Sequence, residues 1–234
     1  MIDAVIFDKD GTLFDFRRTW GVWSARLLAD LAGGDAARAM DLGRAIGFDP
    51  LRQTFAPDSP VIADTAETVA RYLLPRLPGA DLAGLVAQMN ALAERVEPAE
   101  VVPLAPLLAG LRGRGLRLGL VTNDAEAPAR AHLAAAGVTG MFDFVAGFDS
   151  GHGAKPDPAP LLAFARAQAV APARVVMVGD SLHDLYAGRA AGMRTVAVLT
   201  GIAGAEDLAP HADTVLPDIG ALAGWIDRLA PLPA

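Results

Sequence analysis

The chain has 234 residues, of which 53% are hydrophobic and 20% are charged, and its formal net charge is −7. This length and composition suit one α/β domain with an insertion and exclude a disordered segment. The acidic balance argues against nucleic acid or an anionic membrane as the main partner, and the absence of cysteine excludes disulfides, thiolate metal sites and a cysteine nucleophile.

The N-terminal segment, residues 2–8, is a short apolar run that ends in an acid. It lacks the basic start and the long apolar centre of a signal peptide. The sequence also contains no uninterrupted apolar run that is long enough to cross a bilayer. We therefore expect a cytoplasmic protein without a membrane partner, and Ala4–Phe7 is the first predicted strand.

The next part of the chain, residues 16–98, shows helical patterns at 20–31, 64–74 and 82–96 without a convincing strand. Asp64 and Glu67 have the spacing of a capping box. An insertion of roughly 80 residues is far longer than an ordinary connection between a strand and a helix. We therefore predict an α/β core formed by residues 1–15 and 99–234, with residues 16–98 inserted as a helical cap.

The rest of the chain alternates between apolar runs and helical patterns. Runs that are apolar without alternation are typical of strands in a sheet that is covered on both faces. Strands following one another through helices predict right-handed βαβ units and a parallel sheet. The predicted strands are 116–121, 175–178 and 195–199, with weaker candidates at 142–148 and Thr214–Leu216, and the predicted helices are 125–136, 158–169 and 182–191.

Two acids, Asp8 and Asp10, flank Lys9 directly after the first strand. Open α/β sheets bind their ligands at the carboxyl ends of strands, and Gly11 permits a tight turn there. The alternative is a turn with two solvated acids. The position after a buried strand favours a function for both.

Two further segments could bind phosphate. Thr122 and Asn123 follow the strand 116–121, where a hydroxyl and free backbone N–H groups can bind phosphate oxygens, although an ordinary helix cap has the same composition. Lys155 precedes a proline shortly before a helix and could place a fixed charge on phosphate. A surface lysine in a turn is the alternative.

A second pair of acids, Asp180 and Asp184, follows the strand 175–178. Asp184 lies about one helical turn beyond Asp180, on the same face of the helix. Carboxylate oxygens in this arrangement suit Mg²⁺. The alternative is a helix N-terminus stabilised by acidic residues.

Taken together and in this order, the four motifs resemble those of the haloacid dehalogenase superfamily, and the resemblance covers essentially the whole chain. The most similar branch contains phosphoglycolate-phosphatase-like and β-phosphoglucomutase-like proteins with a helical cap. The resemblance implies a Rossmann-like core, a Mg²⁺ cofactor and a small phosphorylated metabolite as the substrate. It leaves the oligomeric state open.

The resemblance also implies roles for single residues. Asp8 is assigned as the nucleophile that forms an aspartyl-phosphate, and Asp10 as the general acid and base. Thr122 and Lys155 would hold the phosphoryl oxygens, helped by backbone N–H groups near Lys9 and Asn123.

The implied metal ligands are Asp8, Asp180 and the main-chain carbonyl of Asp10, with Asp184 acting through water or through Lys155. Carboxylates that converge in one pocket raise one another's pKa. A divalent cation and Lys155 would offset this effect and keep Asp8 ionised.

Three alternatives to a phosphatase remain. A phosphosugar mutase uses the same two aspartates, and a non-catalytic binding protein could share the scaffold. A 2-haloacid dehalogenase is disfavoured, because those relatives lack the second acid that Asp10 supplies.

The remaining polar and aromatic residues receive structural interpretations. Lys9 occupies a position where relatives usually have an apolar residue, and its side chain is expected near the entrance of the site. We expect Trp20 and Trp23 to pack inside the cap, with a role facing the substrate as the less favoured alternative. The residues expected at the surface are His132, His183, Arg17 and Arg18. The alternatives are that His183 faces the entrance of the site and that an arginine at the start of the cap binds a substrate carboxylate.

Overall fold

The computed structural model describes residues 1–229. The strands are β1 (Ala4–Phe7), β2 (Phe48–Asp49), β3 (Thr54–Phe55), β4 (Arg117–Val121), β5 (Phe144–Ala146), β6 (Val175–Gly179), β7 (Arg194–Val198) and β8 (Thr214–Leu216). The helices are α1 (Phe16–Ala32), α2 (Ala36–Ala45), α3 (Ala66–Leu73), α4 (Leu82–Ala93), α5 (Leu104–Gly113), α6 (Glu126–Ala135), α7 (Ala159–Ala167), α8 (Leu182–Ala190), α9 (Ala205–Leu208) and α10 (Leu222–Asp227).

Six of the strands form one parallel sheet in the order β5-β4-β1-β6-β7-β8. Ala4 of β1 pairs with Arg117 of β4 on one side and with Val175 of β6 on the other. The prediction of a parallel α/β sheet is confirmed. Because β1 lies between β4 and β6, the residues that follow these three strands meet at one edge of the sheet.

Helices cover both faces of this sheet. Val5 and Phe7 of β1 join one buried hydrophobic cluster, whereas Ala4 and Ile6 join another on the opposite face. All four residues are fully buried. Burial on both faces explains why the strands are continuous apolar runs in the sequence.

The helices α1 to α4 have a hydrophobic cluster of their own, which contains Trp20 and Trp23 as expected. The separate cluster supports our division of the chain into a core and a cap formed by residues 16–98, which we retain as a proposal. In the residues that the structure describes, no helix combines the length and hydrophobicity needed to cross a bilayer.

Two predictions for the cap are wrong. It contains a short antiparallel pair of strands, β2 and β3, which have two residues each and are too short to show an alternating pattern. The second concerns the start of helix α3. Its N-capping residue is Thr65 rather than Asp64, and the Thr65 side chain accepts a hydrogen bond from the backbone N–H of Thr68.

We predict that Phe164→Ala lowers the free energy of unfolding by about 3–5 kcal/mol, the usual cost of deleting a buried ring. Phe164 is fully buried on α7 and packs edge-on against Phe144. Tyr72→Ala is the matched control, because the Tyr72 side chain is 52% exposed, and it should change stability by about 0.5 kcal/mol or less. Urea unfolding measures both, and equal losses would contradict this account of the core.

Candidate active site

The candidate site lies where β1, β4 and β6 end. The backbone N–H of Asp8 donates to the carbonyl of Val178, which ties the first motif to β6 at 2.9 Å. Gly11 then turns the chain with φ of +78°, and a Cβ atom at this position would lie 2.3 Å from Oδ2 of Asp180. Glycine is therefore required here by its backbone angle and by the close approach of Asp180.

Lys155 joins two of the predicted site residues. Its Nζ lies 2.6 Å from Oδ1 of Asp8 and 2.6 Å from Oδ1 of Asp184, and it also donates to the carbonyl of Val121 at 2.9 Å. The Lys155 side chain is buried. Burial lowers the pKa of Lys155, but Asp184 and Asp8 outweigh this effect and raise it above the ordinary value. The lysine is therefore a fixed cation beside Asp8.

Hydrogen bonds from neighbouring residues orient the second pair of acids. Thr12 donates its hydroxyl to Oδ1 of Asp180 at 3.2 Å. Asp184 accepts bonds at Oδ2 from the backbone N–H and the hydroxyl of Ser181, at 3.1 and 2.7 Å, in a capping box at the start of α8. In each carboxylate, one oxygen is therefore held by hydrogen bonds, which fixes the orientation of the group.

Asp8, Asp180 and Asp184 each place an oxygen within 4.8 Å of the others. Burial raises the pKa of Asp8 to about 7, with Lys155 opposing and Asp184 adding to the shift. Burial, together with Asp8 and Asp184, also raises the pKa of Asp180. Three buried carboxylates share the single charge of Lys155, so this donor set fits a divalent cation with oxygen ligands.

The Asn123 side chain is occupied by protein groups. Its Oδ1 accepts from the backbone N–H of Lys155 at 2.8 Å, and its Nδ2 donates to the carbonyls of Lys155 and Ala63 at 2.8 and 2.9 Å. The amide thus fixes Lys155 and contacts the cap. Our prediction that Asn123 binds substrate can then apply only to its backbone N–H. The Thr122 hydroxyl accepts from the N–H of Asp124 at 3.1 Å and keeps a hydrogen to donate.

The expectation that Lys9 lies near the entrance is wrong. Its side chain is fully buried, and its Nζ lies 2.6 Å from Oδ2 of Asp10 and 3.3 Å from Oδ2 of Asp124. Burial lowers the pKa of Lys9, but Asp10 and Asp124 outweigh this effect and raise it. The other oxygen of Asp10, Oδ1, is buried and has no hydrogen-bond partner among the described residues.

The expectation that His132 is a surface residue is also wrong. His132 is buried, its Nε2 donates to the carbonyl of Ala93 at 2.9 Å, and its Nδ1 accepts from Nζ of Lys9 at 3.0 Å. Burial, together with Lys9, lowers the pKa of His132 to about 4. A neutral histidine therefore links Lys9 to the last residue of the cap helix α4.

The other interpreted residues are placed as follows. His183 is half-buried rather than exposed, and its Nδ1 donates to the carbonyl of Ala63 at 3.1 Å. Ala63 thus accepts bonds from both His183 and Asn123, which hold the cap on the core. Arg17 and Arg18 are exposed and do not line the cleft, so the expectation that they are solvated residues is confirmed.

A cleft between the core and the cap contains the predicted site residues. It encloses about 660 Å³ of empty space, including space open to solvent. The core contributes Asp8, Asp10, Thr122, Asn123, Asp124, Lys155, Asp180, Ser181, His183 and Asp184. The cap contributes Phe16, Trp20, Trp23, Val61, Ile62, Ala63, Asp64, Ala66, Val69, Met89, Asn90 and Ala93.

Known proteins resemble this chain along most of its length. A family model described as a haloacid dehalogenase-like hydrolase matches residues 2–192. A phosphoglycolate phosphatase of Rhodospirillum rubrum is 34% identical, with 100% of this chain and 98% of the relative covered. The tyrosine-protein kinase PtkA of Mycobacterium tuberculosis is also 34% identical, over 91% of this chain and 67% of its own. The crystal structure of CbbY from Rhodobacter sphaeroides in complex with phosphate has a TM-score of 0.67 and 26% identity, and the match covers 95% of this chain and 96% of that chain.

We predict that the affinity for Mg²⁺ rises with pH between roughly pH 5 and 7. The pKa of Asp8 in the metal-free protein is raised to about 7, so below this pH the carboxyl group holds a proton that Mg²⁺ must displace. One displaced proton changes the affinity by about tenfold per pH unit. Because the pKa of Asp180 is raised as well, the affinity should rise by at least about tenfold per unit between roughly pH 5 and 7. Calorimetric titrations of the metal-free protein measure this dependence. An affinity that stays constant over the range would contradict the account of the acidic cluster.

Proposed function

The chain belongs to the haloacid dehalogenase-like hydrolase family, and from this premise we propose that it is a Mg²⁺-dependent phosphatase acting on a small phosphate monoester through an aspartyl-phosphate. The observation that carries the proposal is the geometry of Asp8. This carboxylate is buried at a strand end, lies 2.6 Å from Nζ of Lys155, and has Asp10 two residues further along the chain. A charged nucleophile, a fixed cation and a second acid are the groups that phosphoryl transfer requires.

In the first half of the reaction, an oxygen of Asp8 attacks phosphorus and the bond from phosphorus to the leaving oxygen breaks. Asp10 gives its proton to that oxygen, so the product leaves as an alcohol. The Thr122 hydroxyl donates to an oxygen of the phosphoryl group. The Lys155 ammonium donates its three hydrogens to Asp8, Asp184 and the carbonyl of Val121, so it acts on the phosphoryl group through its charge. Asp8, Asp180 and the carbonyl of Asp10, with Asp184 beside them, would hold Mg²⁺, and the bound ion would offset the negative charge of the phosphoryl group.

In the second half, water attacks the phosphorus of the aspartyl-phosphate. Asp10 accepts a proton from this water, and the bond between phosphorus and Asp8 breaks to release inorganic phosphate. Both carboxylates then have their starting protonation states. The cap contacts made by Ala63 and Ala93 favour a closed cleft, which limits the access of other water molecules.

The names of the relatives set the first substrates to test. The relative from Rhodospirillum rubrum is a phosphoglycolate phosphatase, which makes phosphoglycolate and sugar phosphates the first candidates. PtkA is named a kinase, so sequence similarity alone does not fix the acceptor of the phosphoryl group. A phosphosugar mutase, in which a sugar hydroxyl replaces the attacking water, would convert glucose 1-phosphate to an isomer instead of releasing phosphate.

We predict that Asp8→Asn reduces turnover of p-nitrophenyl phosphate to background while the protein stays folded, because an amide is a far poorer nucleophile than a carboxylate. Asp58→Asn makes the same chemical change at an exposed acid of the cap and should keep wild-type activity. Phosphate release with Mg²⁺ and circular dichroism check both variants. An Asp8→Asn protein with about a tenth of wild-type turnover would disprove the covalent mechanism.

A further inference from the structure

The cap side of the cleft is mostly apolar. Trp20 and Trp23 pack edge-on at 4.9 Å between ring centroids, and the indole of Trp23 donates to the carbonyl of Met89 at 3.3 Å. Both rings are buried, so they form a firm wall rather than a mobile surface. We call this surface the apolar wall and define it by the cap residues Phe16, Trp20, Trp23, Val61, Ile62, Val69, Met89 and Ala93.

Apart from the proposed Mg²⁺, which would be held by the acids at the phosphoryl end, the cleft offers a charged leaving group no unpaired lysine or arginine among the described residues. Among the described residues that line it, Lys155 is the one lysine or arginine, and it already pairs with Asp8 and Asp184. The cap adds the acidic Asp64 to the lining. A carboxylate on the leaving group would lose its water beside several acids without an ionic partner, and such burial is unfavourable.

From this contrast we propose, on the basis of the proposed phosphatase activity, that the substrate is a phosphate monoester of an uncharged and largely apolar alcohol. The phosphoryl group lies at Lys155 and Thr122, and the hydrocarbon or aromatic part of the alcohol packs on the apolar wall. Planar indole rings such as Trp20 favour an aromatic or branched apolar group. Phosphoglycolate, whose leaving group carries a carboxylate, is then a poor substrate despite the names of the relatives.

The test compares kcat/KM for benzyl phosphate and phosphoglycolate with Mg²⁺ present. Both release an aliphatic alcohol, so the comparison reports the pocket rather than the ease of bond cleavage. Benzyl phosphate should be preferred by about 10- to 100-fold, the factor that burial of one phenyl ring supplies. Equal values, or a preference for phosphoglycolate, would overturn the proposal. Failure to release phosphate from p-nitrophenyl phosphate would instead overturn the proposed phosphatase activity itself.

A variant in the apolar wall tests the same idea in the opposite direction. Ile62→Arg adds a cation to the cleft and should raise kcat/KM for phosphoglycolate while lowering it for benzyl phosphate. Val22→Arg is the matched control, because Val22 is 59% exposed on the cap and does not line the cleft; it should leave both values unchanged. An Ile62→Arg protein that is folded and has an unaltered preference would contradict the role of the wall.

The buried ammonium of Lys9 has contacts that lead to a second inference, independent of the apolar wall. The Lys9 Nζ lies 2.6 Å from Oδ2 of Asp10. It also lies 3.0 Å from Nδ1 of His132 and 3.3 Å from Oδ2 of Asp124. The Trp20 ring lies over it, with 5.2 Å from Nζ to the ring centroid. Oδ1 of Asp10, which has no hydrogen-bond partner in the described part of the chain, belongs to a residue that lines the cleft.

We infer that Lys9 is a positioning residue for Asp10, which serves as both general acid and general base in the proposed reaction. It anchors Oδ2 of Asp10 and leaves Oδ1 as the oxygen that carries the proton to the leaving group. His132 extends this anchor to the carbonyl of Ala93 at the end of α4, so the position of Asp10 is coupled to the attachment of the cap.

Substrates whose leaving groups differ in basicity can distinguish a positioning role of Lys9 from a purely structural one. Lys9→Met keeps the length of the side chain and removes its charge. It should lower kcat/KM roughly 10- to 100-fold for benzyl phosphate, whose alkoxide needs a proton, but hardly for p-nitrophenyl phosphate, whose phenolate does not. His132→Phe should show the same selective loss to a smaller extent, which keeps the test open if Lys9→Met does not fold. Equal losses on both substrates, or none, would overturn the inference.

Discussion

The burial of several carboxylates at one edge of the sheet is the constraint on which the site depends. Asp8, Asp180 and Asp184 each place an oxygen within 4.8 Å of the others, and all three are buried. Such a group of like charges is unfavourable unless cations compensate for it. Lys155 supplies one charge between Asp8 and Asp184, and Asn123 holds the Lys155 backbone in place with two bonds of 2.8 Å. Burial raises the pKa of Asp8 to about 7, because Lys155 opposes this shift only in part and Asp184 adds to it.

A second lysine repeats this arrangement next to the first. Lys155 bridges Asp8 and Asp184, and Lys9 bridges Asp10 and Asp124. The two acids assigned to the reaction therefore each have a buried ammonium at 2.6 Å. One lysine comes from the core loop that precedes α7. The other follows β1 and reaches the carbonyl of Ala93 in the cap through His132. Lys155 is also connected to the cap, because Asn123 binds both Lys155 and the carbonyl of Ala63.

The parts of the structure that could be predicted are those that produce a pattern among neighbouring residues of the sequence. Ala4–Phe7 is continuous and apolar because β1 is buried on both faces, and this run placed Asp8 at a strand end. Two-residue strands such as β2 and β3 leave no such pattern. The contact of Lys9 with His132 joins residues 123 positions apart, and no local pattern in a single sequence indicates it. The lysine between the two aspartates, where the family resemblance leads us to expect an apolar residue, was the one available signal, and it did not reveal that the side chain is buried.

The measurement that tests the central claim most directly is a search for the phosphoryl group on Asp8. Protein that is turning over p-nitrophenyl phosphate with Mg²⁺ is quenched in acid, digested with a protease and analysed by tandem mass spectrometry. The account predicts a phosphoryl group on the peptide that contains Asp8, located on the Asp8 carboxylate. Steady turnover without any phosphorylated Asp8 peptide, in a quench that preserves a known acyl phosphate, would contradict it.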